Sequence, residues 1–212
     1  MSIKLKIIAI VVAVFVCLII YLSQAQINVT EYEVVVDPVK TIDNKTLHKV
    51  NGSITLYVPI AVKKDGTIHE VMNNLTVYCF DKVECNPKVE IINTGYGKAL
   101  KIVTDRYTTI KGYYSHRTPL LTPYDYIEPS TLVKYNDVKE VYIYLNSSSD
   151  ADYVKLKLRI EAGACIEAGA KGLVFIGHGS HYIWTFADEY GYKDWITLNE
   201  GWNRYPCIHM II

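Results

Sequence analysis

The sequence predicts a mainly β fold: an antiparallel, sandwich-like extracytoplasmic domain that follows one N-terminal transmembrane or signal helix. Short segments of alternating apolar and polar residues recur about every eight to twelve residues, with turn residues between them. Tyrosine is abundant, with 18 Tyr against four Phe and three Trp, and it favours strands and half-wetted surfaces. A hydrophobic content of 50% with 21% charged residues indicates a folded domain rather than a disordered stalk.

The N-terminal helix is predicted from Ile7 to Leu22, a run of sixteen residues without a charge. This length falls between a signal-peptide core of about 7 to 15 residues and a spanning helix of about 17 to 25. Ser23 and Ala25 favour cleavage after Ala25, whereas Tyr21 and the flanking lysines favour an uncleaved anchor. Lysines before the run and acidic residues after it predict an N-terminus inside and a domain outside. Residues 1–26 are therefore a signal anchor, or a signal peptide that releases a secreted domain.

Five glycosylation sequons, Asn-x-Ser/Thr, also favour export, because this composition gives only about one by chance. The alternative is that Asn and Ser/Thr merely share turns. The sequons lie at Asn28, Asn44, Asn51, Asn74 and Asn146.

The charge balance argues against a nucleic-acid partner. The chain has 22 basic and 22 acidic residues, and two of the basic ones, Lys4 and Lys6, belong to the leader. The exported part therefore carries a slight negative charge, which is no footprint for nucleic acid or anionic lipid.

The cysteine count suggests disulfides. Cys17 lies in the apolar run, which leaves an even number outside it: Cys79, Cys85, Cys165 and Cys207. The short spacing favours Cys79 with Cys85, which leaves Cys165 with Cys207. That second bridge closes a loop that would stabilise the fold by about 3 to 4 kcal/mol in the chain-entropy model. Four free thiols are the alternative.

Residues 27–160 are predicted to form the sandwich-like domain. Asp37-Pro38 is expected to end the first strand, Pro59 to interrupt the second, and Asp65-Gly66 to form a hairpin turn. Alternation predicts strands at Tyr32–Val36, Ile54–Val62, Thr67–Val71, Leu75–Phe80, Lys88–Ile92, Ala99–Val103, Tyr107–Tyr113, Val141–Leu145 and Val154–Ile160.

A proline-interrupted segment, residues 114–134, breaks the strand pattern and is predicted to be a long loop. Long loops in compact domains are often functional. Tyr114, Tyr124 and Tyr126 would suit a contact surface for a carbohydrate or a peptide. The alternative is that these tyrosines cover the core.

Residues 161–212 are predicted to be a C-terminal extension that packs on the same domain. Glu161–Ala170 is rich in alanine and could form a short helix, followed by a strand at Leu173–Ile176. A strand after a helix, opening onto glycines, suggests a small α/β element. The alternative is a β-hairpin with its turn at Gly177–Ser180.

Two stretches in this extension, LVFIGHGSHYIW and LNEGWNRYP, resemble the histidine segment of gingipain-type cysteine peptidases. The resemblance covers residues 173–206 and implies that His178 is the catalytic base, with Gly179 as its flanking glycine. It also implies a nucleophilic cysteine at the end of a second, adjacent strand. The chain has no residue at that place, and Cys207 lies at the other end of the strand. The resemblance therefore implies a truncated or relic peptidase.

No cofactor or metal is predicted. His178, His181, Cys207 and His209 are ligand types that zinc accepts, but their spacing fits no defined motif. The sequence thus predicts a membrane-anchored or secreted, glycosylated surface protein with a structural, adhesive or binding role. Its expected partners are the membrane and a cell-surface protein or glycan, and the alternative is the peptidase relic with His178 as base.

Overall fold

The computed structural model describes residues 10–16, 25–80, 87–119, 122, 126–135, 138–170, 173–188 and 190–211. Side chains are described throughout these ranges except at 25, 135, 165–170 and 173–182. Residues 10–16 are helical, and their apolar side chains are exposed, Phe15 by 62%. Within the described ranges, no helix has both the length and the apolar character needed to cross a membrane.

Beyond residues 10–16, the described chain contains sixteen strands and one short 3-10 helix, Glu70–Asn73, joined by turns and loops. The strands are β1 Ala25–Ile42, β2 Lys45–Leu47, β3 Lys49–Pro59, β4 Ala61–Lys63, β5 Leu75–Cys79, β6 Lys88–Thr94, β7 Gly97–Arg106, β8 Thr108–Pro119, β9 Ile127–Pro129, β10 Leu132–Tyr135, β11 Val138–Ser147, β12 Tyr153–Ala170, β13 Leu173–Asp188, β14 Gly191–Lys193, β15 Ile196–Thr197 and β16 Gly201–Ile211.

Fourteen of these strands form one large curled sheet, and β4 and β9 form a separate two-stranded sheet. The order across the large sheet is β5-β8-β1-β12-β13-β16-β11-β3-β7-β6, with β2, β10, β14 and β15 attached at its margins. Neighbouring strands in this order run antiparallel. The prediction of a mainly β, antiparallel protein is therefore confirmed.

The core forms where the apolar sides of the strands turn toward one another. Val34 and Val36 on β1, Leu56 on β3, and Ile143 on β11 are almost completely buried, as strand alternation requires. Two polar tips inside this core are satisfied by carbonyl groups. The Tyr32 hydroxyl donates to the Pro59 carbonyl at 2.8 Å, and Trp184 Nε1 donates to the Ile127 carbonyl at 2.9 Å.

Three local predictions between residues 32 and 134 are wrong in whole or in part. Strand β1 runs on through Pro38, which lies opposite Val154, and ends at Ile42. The predicted strand Thr67–Val71 reduces to a single bridge at Ile68, after which the 3-10 helix begins at Glu70. The segment 114–134 is only partly a loop, because strand β8 extends into it and β9 and β10 lie within it.

The predicted C-terminal α/β element is also wrong. Glu161–Ala170 continues β12 as a strand, since it is hydrogen-bonded to β1 on one side and β13 on the other. The alternative hairpin turn at Gly177–Ser180 is absent as well, because Leu173–Asp188 is one strand. A register irregularity opposite these glycines lets the strand continue. The division at residue 160 falls inside β12, so residues 161–212 share the sheet of the preceding residues.

Candidate binding surface

Five aromatic side chains form a continuous surface on the outer face of β16, β11 and β3. Trp202 lies directly opposite Tyr144, which in turn lies directly opposite Tyr57. Tyr142 is two residues from Tyr144 on the same face of β11. Tyr96, in the turn between β6 and β7, contacts Tyr142. We call this set, Tyr57, Tyr96, Tyr142, Tyr144 and Trp202, the aromatic platform.

The rings of the aromatic platform pack on one another. Tyr96 stacks on Tyr142 with centroids 4.0 Å apart and an interplanar angle of 18°. Tyr57 stacks on Tyr144 at 4.8 Å and 23°. Trp202 joins the two pairs, with centroids 4.7 Å from Tyr96 and 5.3 Å from Tyr144. The separations of 4.7 to 5.3 Å are those of favourable aromatic pairs, and Tyr96 and Tyr142 pack more closely still, so the rings hold one another in place.

Local backbone structure fixes the two rings that do not come from strand interiors. The Tyr96 N–H donates to Thr94 Oγ1, which donates to the Gly97 carbonyl. Gly97 has a φ of +116°, and a Cβ there would lie 2.9 Å from the Ser130 carbonyl oxygen. On β16, the Asn203 amide donates to three carbonyls of the turn that precedes Trp202, the closest at 3.0 Å. Both rings are therefore held by constrained turns.

Charged pairs border the aromatic platform. Beyond Tyr57, the row across the sheet continues to Lys101 and Glu90, whose Nζ and Oε1 atoms are 2.6 Å apart. The hydrogen bond that Lys101 donates to Glu90 raises the pKa of this amine, so it stays cationic at neutral pH. On the other side, Arg204 lies opposite Tyr142 and contacts Glu140 at 3.2 Å. The surface thus combines flat apolar rings with charged hydrogen-bonding groups at its margin.

The aromatic platform is on the wet side of strands whose other side is core. Ile143 and Leu145 of β11 are buried, whereas Tyr142 and Tyr144 between them are half-exposed and Tyr96 is 44% exposed. The core therefore does not need these rings. A flat, partly exposed aromatic surface with polar margins can stack on the apolar face of a ligand and bond to its polar edge.

The predicted tyrosine surface lies elsewhere and is not assembled. Tyr114 is on β8, packs against the core, and contacts the His69 ring edge-on at 5.5 Å. Tyr126 is exposed, and its hydroxyl donates to Glu128 at 3.1 Å. Tyr124 lies outside the described residues. Tyr114 thus fits the alternative in which a tyrosine covers the core, and it is not part of the aromatic platform.

One of the two predicted disulfides is wrong. Cys207 is a free, buried cysteine on β16, opposite Phe186 of β13. Cys165 on β12 lies opposite His178 of β13. Along β13, His178 is eight residues from Phe186, the residue opposite Cys207. Eight residues of strand span about 26 Å, far beyond the reach of a disulfide. Cys79 is disulfide-bonded, and because Cys85 lies outside the described residues, the Cys79–Cys85 pair stays a prediction.

The peptidase and zinc hypotheses depend on C-terminal residues, and eight residues of β13 separate His178 from Phe186, the residue opposite Cys207. His178 and Gly179 lie on β13, and their side chains are outside the described set. Strands β13 and β16 are antiparallel, and burial raises the pKa of the Cys207 thiol to about 12, so it is protonated at neutral pH. Among the described side chains, no three of His, Cys, Asp or Glu are grouped to hold a metal.

The predicted sequons differ in exposure. Asn28 is only 3% exposed, and its amide is hydrogen-bonded to Gln26 and Thr118 between neighbouring strands. A glycan does not fit at this position in the folded protein. The side chains at the other four sequons are exposed: Asn44, Asn51, Asn74 and Asn146.

Comparisons with protein-family models, with curated proteins and with solved structures give no match to this chain. The candidate site therefore rests on the geometry of its own residues.

Proposed function

We propose that the protein is an exported, cell-surface binding protein whose aromatic platform contacts glycans. The observation that carries the proposal is the continuous set of five rings on the wet side of the sheet. A sugar ring has an apolar face of C–H groups and an edge of hydroxyl groups. Stacked tyrosine and tryptophan rings complement the face, and the charged side chains at the margin complement the edge.

A glycan fits this surface better than a folded protein partner does. A stable protein interface buries about 800 Å² on each partner and has a fully desolvated centre. The aromatic platform is small, and charged pairs such as Lys101 with Glu90 border it closely. Such a surface suits a narrow ligand that is half apolar and half polar.

The location outside the membrane is part of the same proposal. The run Ile7–Leu22 would anchor the protein, or cleavage after Ala25 would release it. Support comes from the exposed apolar side chains of residues 10–16 and from the exposed sequons. In this proposal the curled sheet is a sandwich-like scaffold that presents the aromatic platform to the cell exterior.

Binding to immobilised oligosaccharides tests the proposal. We would screen the purified exported domain against β-linked glucose and N-acetylglucosamine oligomers and α-mannan, and then compare variants on any glycan that binds. Trp202→Ala and Tyr144→Ala are expected to weaken binding by about tenfold or more each, as central aromatic contacts usually do.

Tyr113→Ala is the matched control, because Tyr113 is an exposed tyrosine on the outer face of β8, away from the aromatic platform. It should bind like the wild type, with all variants keeping the wild-type melting temperature within a few degrees. If Tyr113→Ala and Trp202→Ala weaken glycan binding equally, or if the wild type binds no glycan, the aromatic platform is ruled out as a glycan site.

A further inference from the structure

One glycosylation sequon lies on the same face as the aromatic platform. Along β11, Tyr142, Tyr144 and Asn146 point to the wet side, whereas Ile143 and Leu145 point into the core. Asn146 is exposed and lies opposite Thr55 of β3, a small residue that leaves the face above it open. Its side chain can therefore carry a glycan that rises beside the rings.

The distances bring such a glycan within reach of the rings. Asn146 and Tyr144 are two residues apart on one strand, about 6.6 Å. Trp202 lies opposite Tyr144, so it is a diagonal neighbour of Asn146 across the strand pair. Diagonal neighbours are about 7 to 8 Å apart. The first two sugars of an N-linked glycan span this distance.

We infer that an N-glycan on Asn146 folds over Tyr144 and Trp202 and covers the aromatic platform, so that glycosylation of this residue controls access to it. The inference rests on the proposed function, since it assumes that the rings bind sugars. A tethered sugar is held at an effective concentration of about millimolar, so even a weak contact would be substantially occupied. A contact with a Kd of about 0.1 mM would then cover the rings for about nine-tenths of the time, which weakens the apparent affinity for a free glycan about tenfold.

The other exposed sequons do not have this relation to the aromatic platform. Asn44 is in the turn between β1 and β2, and Asn74 precedes β5 at the other end of the sheet order. The Asn51 amide donates to Asp150 at 3.0 Å, which holds it in the contact between β3 and the turn after β11. Among the described sequon residues, only Asn146 lies on the same strand and the same face as Tyr142 and Tyr144.

Sequon variants provide the test in the full chain, made in a host that N-glycosylates. Asn146→Gln and Ser148→Ala both remove the acceptor sequence, and Ser148→Thr keeps it together with a hydroxyl that can still contact Ser53. Asn74→Gln removes a glycan from the distant site. Glycopeptide mass spectrometry should find Asn146 occupied in the wild type, and an empty Asn146 would overturn the inference.

Two readouts separate this inference from the proposed function. Hydroxyl-radical footprinting should show that Tyr144 and Trp202 react about tenfold faster in Asn146→Gln and Ser148→Ala than in the wild type. Their reaction rates should be unchanged in Ser148→Thr and Asn74→Gln. Affinity for an immobilised oligosaccharide should rise in parallel. If footprinting changes but no variant binds any glycan, the cover exists and the proposed function fails. If glycans bind equally with and without the Asn146 glycan, and footprinting does not change, the cover is refuted and the function stands.

Discussion

The wet side of the sheet has two regions, and they are built from different chemistry. On β16, β11 and β3 the outward positions hold the aromatic platform. On β8, β1 and β12 they hold ion pairs, with Glu33 between Lys111 at 2.8 Å and Lys157 at 3.2 Å, and Arg159 beside Glu161. We call this second surface the charged face. On the inner side of both surfaces, the strands bury apolar side chains.

The contrast shows that other outward strand positions of this sheet hold charged rather than aromatic side chains. The charged face meets the ordinary needs of a solvated strand surface, with opposite charges placed across neighbouring strands. Exposed aromatic rings gain little from water, and a contiguous group of them usually marks a binding surface. This contrast supports the proposal that the aromatic platform serves binding.

The two sides of β11 should separate stability from binding most strongly. Ile143→Ala removes a buried side chain and should lower the free energy of unfolding by about 2 to 5 kcal/mol, because it leaves a cavity. Tyr144→Ala, one residue away, should cost much less stability and still abolish most glycan binding. Urea unfolding and binding assays on the same preparations measure both. If Tyr144→Ala destabilises as much as Ile143→Ala, the ring is a core residue and the comparison fails.

The two glycines around Tyr96 offer a finer test. Gly97→Ala should lower the free energy of unfolding by about 1 to 3 kcal/mol, since its φ is positive and its Cβ would meet the Ser130 carbonyl. It should also displace Tyr96 and weaken glycan binding. Gly95→Ala is the control, because a Cβ at Gly95 has no atom within 4 Å. If the two substitutions lower the melting temperature equally, the turn around Tyr96 is not constrained at Gly97.

The charged face should give a smaller effect that depends on pH. Burial alone would raise the pKa of Glu33, but hydrogen bonds from Lys111 and Lys157 outweigh it and lower the pKa below its usual value of 4.5. A lowered folded-state pKa means that the stabilisation is present above about pH 4.5 and is lost as the pH falls through the folded-state pKa. Glu33→Gln should therefore cost no more than about 1 kcal/mol at neutral pH.

The difference in the free energy of unfolding between Glu33→Gln and the wild type should shrink toward zero in acid. Urea unfolding between neutral pH and pH 3 measures it. Glycan binding should not change, because Glu33 lies outside the aromatic platform. A difference that grows as the pH falls would show that the Glu33 carboxylate is not stabilised by its lysines.

Much of the fold could be predicted from the sequence, because alternation is a local signal. Strands such as β3, β7, β11 and the first half of β12 bury every second residue, as their patterns indicate. The misses occur where long-range pairing overrides local preference. The alanine-rich Glu161–Ala170 favours helix by composition, yet β1 and β13 satisfy its backbone groups on both sides. Pro38 would end an isolated strand but is tolerated in β1.

The candidate site could be predicted only in part. Tyr142 and Tyr144 are on the wet side of their strand by alternation alone. Their partners Tyr57, Tyr96 and Trp202 lie far away in the sequence, and only the pairing order and register bring them together. The proline-rich segment predicted a binding role for Tyr114, because irregular segments often carry function. Strand β8 instead extends through Tyr114 and turns it toward the core.

The most direct measurement of the central claim is nuclear magnetic resonance of the three tryptophan indole N–H groups during titration with an oligosaccharide that binds. Trp202 is part of the aromatic platform, Trp184 is completely buried with its N–H bonded to Ile127, and Trp195 lies between β14 and β15 and is not part of the aromatic platform. We expect the Trp202 resonance to shift with saturation while those of Trp184 and Trp195 stay in place. A saturable shift at Trp195, with Trp202 unchanged, would contradict it.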